Sequence, residues 1–225
     1  MLVKKFFNFL NNYHYNSIYN YSKKLNFKIL IDIGSHQGEF FSRFMNNKKI
    51  QKFYCFEPNK ILFDILKKKY KNKKKIFLYN YALGENKSLK KLFLSNLSYN
   101  STISSFNKKS NYLKFKNLLI DDQENYKYTT VKQNTFDEIF KKINIKECFL
   151  KLDVEGYEYN VLKGATKKIM NVKYLLIEHQ FSDQYKNNFK KIKNFLIKQN
   201  FIPDKSFYYP SLHYRDILFI NRRYK

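Results

Sequence analysis

The sequence predicts an α/β protein of the doubly wound kind, a Rossmann-like, mostly parallel seven-stranded sheet with a C-terminal antiparallel hairpin. Three observations predict it. Continuous apolar runs such as KILIDIG (28–34) and CFLKLDV (148–154) alternate with segments whose apolar residues recur at helical spacing, the pattern of parallel strands covered on both faces. The first run ends on an acid followed by two glycines four apart, in DIGSHQG (32–38), a strand-to-helix turn of the kind at which such sheets bind ligands. Acids also close the later strands: Glu57, Asp153, Glu155 and Glu178.

The elements follow in order. Residues 1–27 read as an N-terminal helical segment: Leu2, Phe6, Phe9, Leu10 and Tyr13 recur at helical spacing and pack a helix onto the domain, with a membrane-surface helix as the alternative. The domain proper occupies 28–225. After the first strand, Gly38 to about Asn46 reads as helix, and KFYCFEP (52–58) as a second strand closed by proline. Ile61, Leu62, Ile65 and Leu66 form one face of a helix whose other face carries lysines. KIFLYNYALG (75–84) reads as a third strand and LKKLFLS (89–95) as a short one.

The serine- and asparagine-rich stretch at 95–111 has no periodic apolar face and reads as a loop directed at the substrate. YKYTTVK (126–132) resumes extended structure, and Thr135 with Glu138 forms a capping box opening a short helix. CFLKLDVEG (148–156) is a strand ending in acids, followed by a helical face of Tyr157, Val161, Ala165 and Ile169. KYLLIEHQF (173–181) is another strand, and Phe189, Ile192, Leu196 and Gln199 place the next helix. FIPDKSFYY (201–209) and DILFINRR (216–223) form the terminal hairpin.

The formal charge of +26 is a field that attracts nucleic acid or an anionic surface. The composition competes with that reading: lysine, asparagine, isoleucine, phenylalanine and tyrosine are heavily used along the whole chain and tryptophan is absent, so solvated lysines account for the charge. The densest run, KKKYKNKKK (67–75), falls at a helix end, where cations complement the dipole. Cys55 and Cys148 each sit inside a predicted strand and read as reduced packing residues, which fits a cytoplasmic protein. The N-terminal apolar stretch is interrupted by asparagines and is neither a signal peptide nor a membrane span.

In a doubly wound sheet the closing acids share one rim, and an excess of carboxylates there in so basic a chain points to a cationic ligand. Glu57 carries the most specific spacing. It lies 19 residues after Gly38 at the tip of the adjacent strand, where an acid hydrogen-bonds the ribose hydroxyls of an adenosine cofactor. The glycine pattern then separates NAD from S-adenosylmethionine. DIGSHQG lacks the third glycine that packs a helix beneath a pyrophosphate, and S-adenosylmethionine has no pyrophosphate.

IDIGSHQGEF, FEPN, ALGE, FLKLDVEGYEYNVLKGA and LLIEHQ, in that order over residues 28–220, resemble the successive motifs of the FkbM-family methyltransferases, with the class I S-adenosylmethionine-dependent fold. The resemblance implies that Asp32, Gly34, Ser35 and Gly38 line the methionine and ribose end of S-adenosylmethionine, that Glu57 holds the ribose, and that Ala82 and Leu83 border the adenine. His36 stands where the family usually has asparagine, which alters the polar contact at that position. The family's acceptors are hydroxyl groups of sugars or small metabolites, so the resemblance implies a small-molecule or glycan acceptor and a general base. Asp153, at the end of the central strand, is the first candidate; Lys151 on its side of the sheet orients or neutralises it, and His179 is the second candidate. The spacing of Asp153, Glu155 and Glu178 establishes no metal site.

Two rivals use the charge: an RNA (ribose) methyltransferase, and a non-catalytic basic nucleic-acid-binding module. DVEG occupies the place where base-amine methyltransferases of this fold carry an N-P-P-Y type motif, which argues against base methylation but not against ribose. The acids at the strand ends argue against the binding module.

Overall fold

A computed structural model describes residues 2–94, 101–104, 107, 109–110, 127–181, 185, 189–210 and 214–224, with the backbone alone for residues 2–7. Its centre is a seven-stranded sheet of order β3-β2-β1-β7-β8-β10-β9. The strands are β1 (Ile29–Ile33), β2 (Lys52–Phe56), β3 (Ile76–Tyr79), β7 (Cys148–Leu152), β8 (Val172–Gln180), β9 (Phe201–Tyr208) and β10 (Tyr214–Asn221). The pairs among β3, β2, β1, β7 and β8 are parallel, whereas β10 runs antiparallel to both β8 and β9. The sheet is therefore doubly wound with a terminal hairpin, and the chain reverses direction across the sheet between β1 and β7, the crevice where such folds take ligands. A smaller sheet, β4-β6-β5, is built from β4 (Ala82–Leu83), β5 (Ser88–Phe93) and β6 (Tyr128–Asn134).

Side-chain alternation divides the core into two layers. Ile31, Ile33, Leu150, Leu152, Leu175 and Ile177 meet α3 (Phe136–Ile139), α4 (Glu158–Lys163) and α5 (Phe189–Lys198) on one face. Leu30, Phe53, Phe149, Leu176 and Leu218 face α1 (Leu2–Ser22), a 3₁₀ helix at Phe41–Phe44 and α2 (Lys60–Tyr70) on the other. Thr135 caps α3, accepting the Glu138 N–H at 3.1 Å as the capping box predicts. Cys55 and Cys148 are free and buried. Among the described residues no helix is long and apolar enough to cross a membrane.

Four local expectations are corrected. The helix expected from Gly38 to Asn46 contracts to Phe41–Phe44: Ser42 N–H donates to Gly38 O, but Arg43 and Met45 donate three residues back, which tightens the turn while Phe40, Phe41 and Phe44 are all buried. The strand expected over 75–84 divides, because the Asn80 amide donates to Glu57 O (2.9 Å) and Pro58 O (3.0 Å) and the chain turns there; Ala82–Leu83 joins the smaller sheet. In α2 the buried stripe is Leu62, Leu66 and Tyr70, leaving Ile61 and Ile65 exposed.

In α1 the buried stripe is His14, Ile18 and Ser22, while Phe9 and Tyr13 are exposed and the side chains of Leu2 and Phe6 lie outside the described residues. Of the loop at 95–111, residues 95–100, 105–106, 108 and 111 also lie outside them. Thr102 pairs with Phe93 at the edge of β5.

Candidate active site

The turn after β1 is held by its own neighbours. Gly34 and Ser35 N–H both donate to Phe56 O, at 3.1 and 3.0 Å, and Gly38 N–H donates to Ser35 O at 2.7 Å. His36 N–H donates to Glu57 Oε2 at 2.9 Å and Gln37 N–H to Glu39 Oε2 at 3.0 Å. Every backbone donor from 34 to 38 is thus engaged within the chain. A pyrophosphate site keeps such donors for phosphate oxygens, so this turn fits a ligand without phosphates. Ser35 is buried, its hydroxyl donating to Asp32 O. Gly34 adopts φ +85, and a Cβ there would lie 1.8 Å from Asp153 O; the close approach it permits is between the β1 turn and the end of β7.

Glu57 stands at the tip of β2, nearly buried, with Oε2 on His36 N–H and Oε1 on Asn59 N–H at 2.8 Å. Burial raises its pKa to about 7 against those stabilising bonds. The imidazole of His36 turns to Glu39, with Nδ1 2.8 Å from Oε1. Ala82 and Leu83 are buried in β4, paired with Gln133 and Asn134. A groove of about 490 Å³ is bordered by Pro58, Asn80, Tyr81 and Val131.

Across β1, β7, β8 and β10 the structure assembles a row of acids around one ammonium. Asp32 is paired in register with Lys151, and Glu178 with Asp216. Lys151 Nζ lies 2.9 Å from Asp153 Oδ2 and 3.6 Å from Asp32 Oδ1. Burial alone would lower the Lys151 pKa, but Asp153 and Asp32 outweigh it and hold the group well above its ordinary value. Asp32 is fully buried and neither of its oxygens has a hydrogen-bond partner among the described residues. Burial, against the pull of Lys151, lifts its pKa to about 6. The cation beside these oxygens is the Lys151 ammonium, and a buried carboxylate at a turn that offers no free N–H suits a cationic neighbour better than an anion.

The strand β7 opens into the DVEG turn, where Glu155 (φ 53) and Gly156 (φ 88) are both left-handed. The turn is held by Glu158, a buried acid whose Oε1 accepts Val154 and Gly156 N–H at 3.2 and 3.1 Å. Carboxylate oxygens of Asp153, Glu155 and Glu178 lie within 4.8 Å of one another, on the rim that the strand ends share. Gln180 Nε2 ties Glu155 Oε2 (2.9 Å) to Glu178 Oε1 (2.5 Å), and Tyr185 OH donates to Glu155 Oε2 at 3.0 Å. Burial and the surrounding carboxylates raise the Glu178 pKa well above the usual range. Thr102 OH donates to Glu155 O at 2.5 Å, bringing the described part of the serine-rich loop to this cluster.

His179 points to the face opposite Glu178. Its ring stacks on Phe189 at 3.7 Å, and Arg215 Nε approaches Nδ1 at 3.4 Å. Burial and then Arg215 push its pKa down to about 4. The structure thus brings Asp32, Lys151 and Asp153 together and sets His179 behind the sheet. Residues not singled out in the sequence join the site: His14, Tyr15, Glu158, Gln180, Tyr185 and Asp216.

Residues 32–203 match the family described as the methyltransferase FkbM domain. The chain belongs to the FkbM methyltransferase family. It is an S-adenosylmethionine-dependent methyltransferase. No curated protein matches the chain at a significant level. Among solved structures, magnesium protoporphyrin IX methyltransferase from Synechocystis, with S-adenosylmethionine bound, is 8% identical over 97% of this chain and 83% of its own, with a TM-score of 0.55. A protein of the NADB-Rossmann superfamily from Streptococcus agalactiae is 12% identical over 92% of this chain and 67% of its own, with a TM-score of 0.52. At these identities the FkbM chain shares their fold.

Proposed function

We infer that this FkbM methyltransferase methylates a hydroxyl group of a sugar, glycan or small metabolite, with Asp153 as the general base. The observation that supports this most directly is the carboxylate of Asp153. It sits at the mouth of the crevice between β1 and β7, partly exposed, and among the described residues its only hydrogen bond comes from Lys151 to Oδ2. Oδ1 is left to accept the proton of an acceptor hydroxyl, which is a poor nucleophile until that proton is taken. Lys151 fixes the carboxylate's orientation. His179, the other candidate, faces Phe189 and would need the β8 edge to rearrange.

S-adenosylmethionine supplies an electrophilic methyl on a sulfonium, whose positive charge favours an acid-lined site. Asp32, Gly34, Ser35 and Gly38 line its methionine and ribose end. Glu57 accepts the ribose hydroxyls, His36 keeps Glu57 in place through its backbone N–H, and Ala82 and Leu83 border the adenine. Alignment of acceptor and methyl is the main contribution left to the protein. The Thr102 contact to Glu155 supports a loop that faces the acceptor, and the buried, free cysteines fit a cytoplasmic protein.

A nucleic-acid acceptor is favoured by the +26 charge, but the acids at the β7 and β8 ends repel phosphates where the acceptor must enter. Methylated products traced from labelled S-adenosylmethionine in extracts, split into glycan, metabolite and RNA fractions, test the reading. Label in the glycan or metabolite fraction, reduced about 10² to 10⁴-fold in rate by Asp153→Asn, is expected; label confined to RNA overturns it.

A further inference from the structure

We propose that the N-terminal helix α1 forms a wall of the methyl-transfer site, with Tyr15 as the residue that positions Lys151. The helix lies outside residues 32–203, the span matched by the family, and the proposal rests on the reading of Asp32 and Asp153 as site residues.

The buried stripe of α1 is His14, Ile18 and Ser22, flanked by Tyr15, Tyr19 and Tyr21, which pack partly buried against the core. Besides this packing, polar contacts fix the helix along its length. Tyr209 OH donates to Asn11 Oδ1 at 2.7 Å, and Arg43 reaches Asn12 Oδ1 (2.7 Å) and Asn16 Oδ1 (3.1 Å). At the centre His14 Nε2 lies 2.6 Å from Asp216 Oδ2, both side chains buried, with the rings of Tyr209 and Tyr214 edge-on at 5.4 and 5.5 Å. A buried imidazole on a buried carboxylate admits one register of the helix, because a shift leaves Asp216 without its partner beside Glu178.

That register brings the next residue over the ammonium. Lys151 Nζ lies 6.0 Å from the centroid of Tyr15 and 5.4 Å from that of Phe40, with Asp32 and Asp153 completing its surroundings. Tyr15 also packs edge-on against Phe40 at 5.8 Å and lies under Arg43 at 5.3 Å. Of these neighbours only Tyr15 comes from α1. The ring of Tyr15 therefore keeps Lys151 between the two acids that flank the Gly34 turn, and α1 closes the methionine end of the cofactor site.

The test uses the full chain and S-adenosylhomocysteine as probe. Hydrogen exchange of the wild-type protein should slow in residues 11–18 on adding the probe. By titration calorimetry Tyr15→Ala should weaken the probe by about ten-fold or more, and Tyr15→Phe, which keeps the ring, by less than about three-fold. Unchanged exchange in α1 with the probe bound, or a Tyr15→Ala affinity within about three-fold of wild type, overturns the proposal. Exchange on the wild type decides the matter even if Tyr15→Ala does not fold. A wild-type protein that does not bind the probe strikes at the cofactor site itself and removes this proposal with it.

Discussion

The backbone N–H of His36 donates to the carboxylate of Glu57 at 2.9 Å, joining the turn after the first strand to the tip of the second. The acid proposed to hold the ribose is thus itself held by the turn proposed to hold the methionine. Glu57→Ala removes charge-assisted bonds worth about 1.5–3 kcal/mol each, so affinity for S-adenosylhomocysteine should fall about ten-fold or more. It also strands the N–H groups of His36 and Asn59, so chemical denaturation should show a loss of about 1–3 kcal/mol. Glu57→Gln, which keeps an acceptor, should lose less of both.

The pH dependence follows from the same residue. In the folded chain its pKa is raised to about 7 from an ordinary 4.5. The folded state therefore binds the proton more tightly than the unfolded state between those values, and this group's contribution to stability falls as pH rises through that window. Cofactor binding runs the other way, since the ionised carboxylate is the better acceptor for ribose hydroxyls. Calorimetry from pH 6 to 8 should show S-adenosylhomocysteine binding more tightly as pH rises, a trend lost in Glu57→Gln.

Lys151→Ala leaves Asp32 and Asp153 without their shared cation. Breaking a buried pair by removing one partner costs about 3–5 kcal/mol. Urea denaturation at pH 7 should report a loss of that order, and the loss should shrink as pH falls through about 6 and Asp32 takes up a proton.

Gly34→Ala places a Cβ 1.8 Å from Asp153 O at φ +85. Backbone cannot yield there as a flexible side chain would, so the variant should lose at least about 2 kcal/mol. Because the shift it forces moves the end of β7, cofactor affinity should fall with stability, measured by calorimetry on the folded fraction.

Much of this architecture was legible because strands covered on both faces read as continuous apolar runs, and Asp32, Glu57, Asp153 and Glu178 interrupt those runs at their ends. The gathering of these acids at the strand ends was legible to the same extent. What the sequence hid depends on contacts between distant segments. His14 and Asp216 are 202 positions apart and meet across the sheet; the signals were an acid opening the apolar run DILF and a histidine four residues before Ile18. The helical stripe read from Phe9 and Tyr13 misjudged α1 because its docking face mixes His14 and Ser22 with Ile18, Tyr15 and Tyr19. The short 3₁₀ helix at Phe41–Phe44 was hidden because aromatic residues suit either kind of turn.

The central claim is that the DIGSHQG turn and Glu57 hold an adenosine cofactor without phosphates at the turn, because every backbone N–H from 34 to 38 already has an acceptor within the chain. Calorimetric titration of the intact protein with S-adenosylhomocysteine and, separately, with NAD tests it most directly. Saturable binding of S-adenosylhomocysteine with no heat from NAD is the predicted result; binding of NAD without S-adenosylhomocysteine would contradict it.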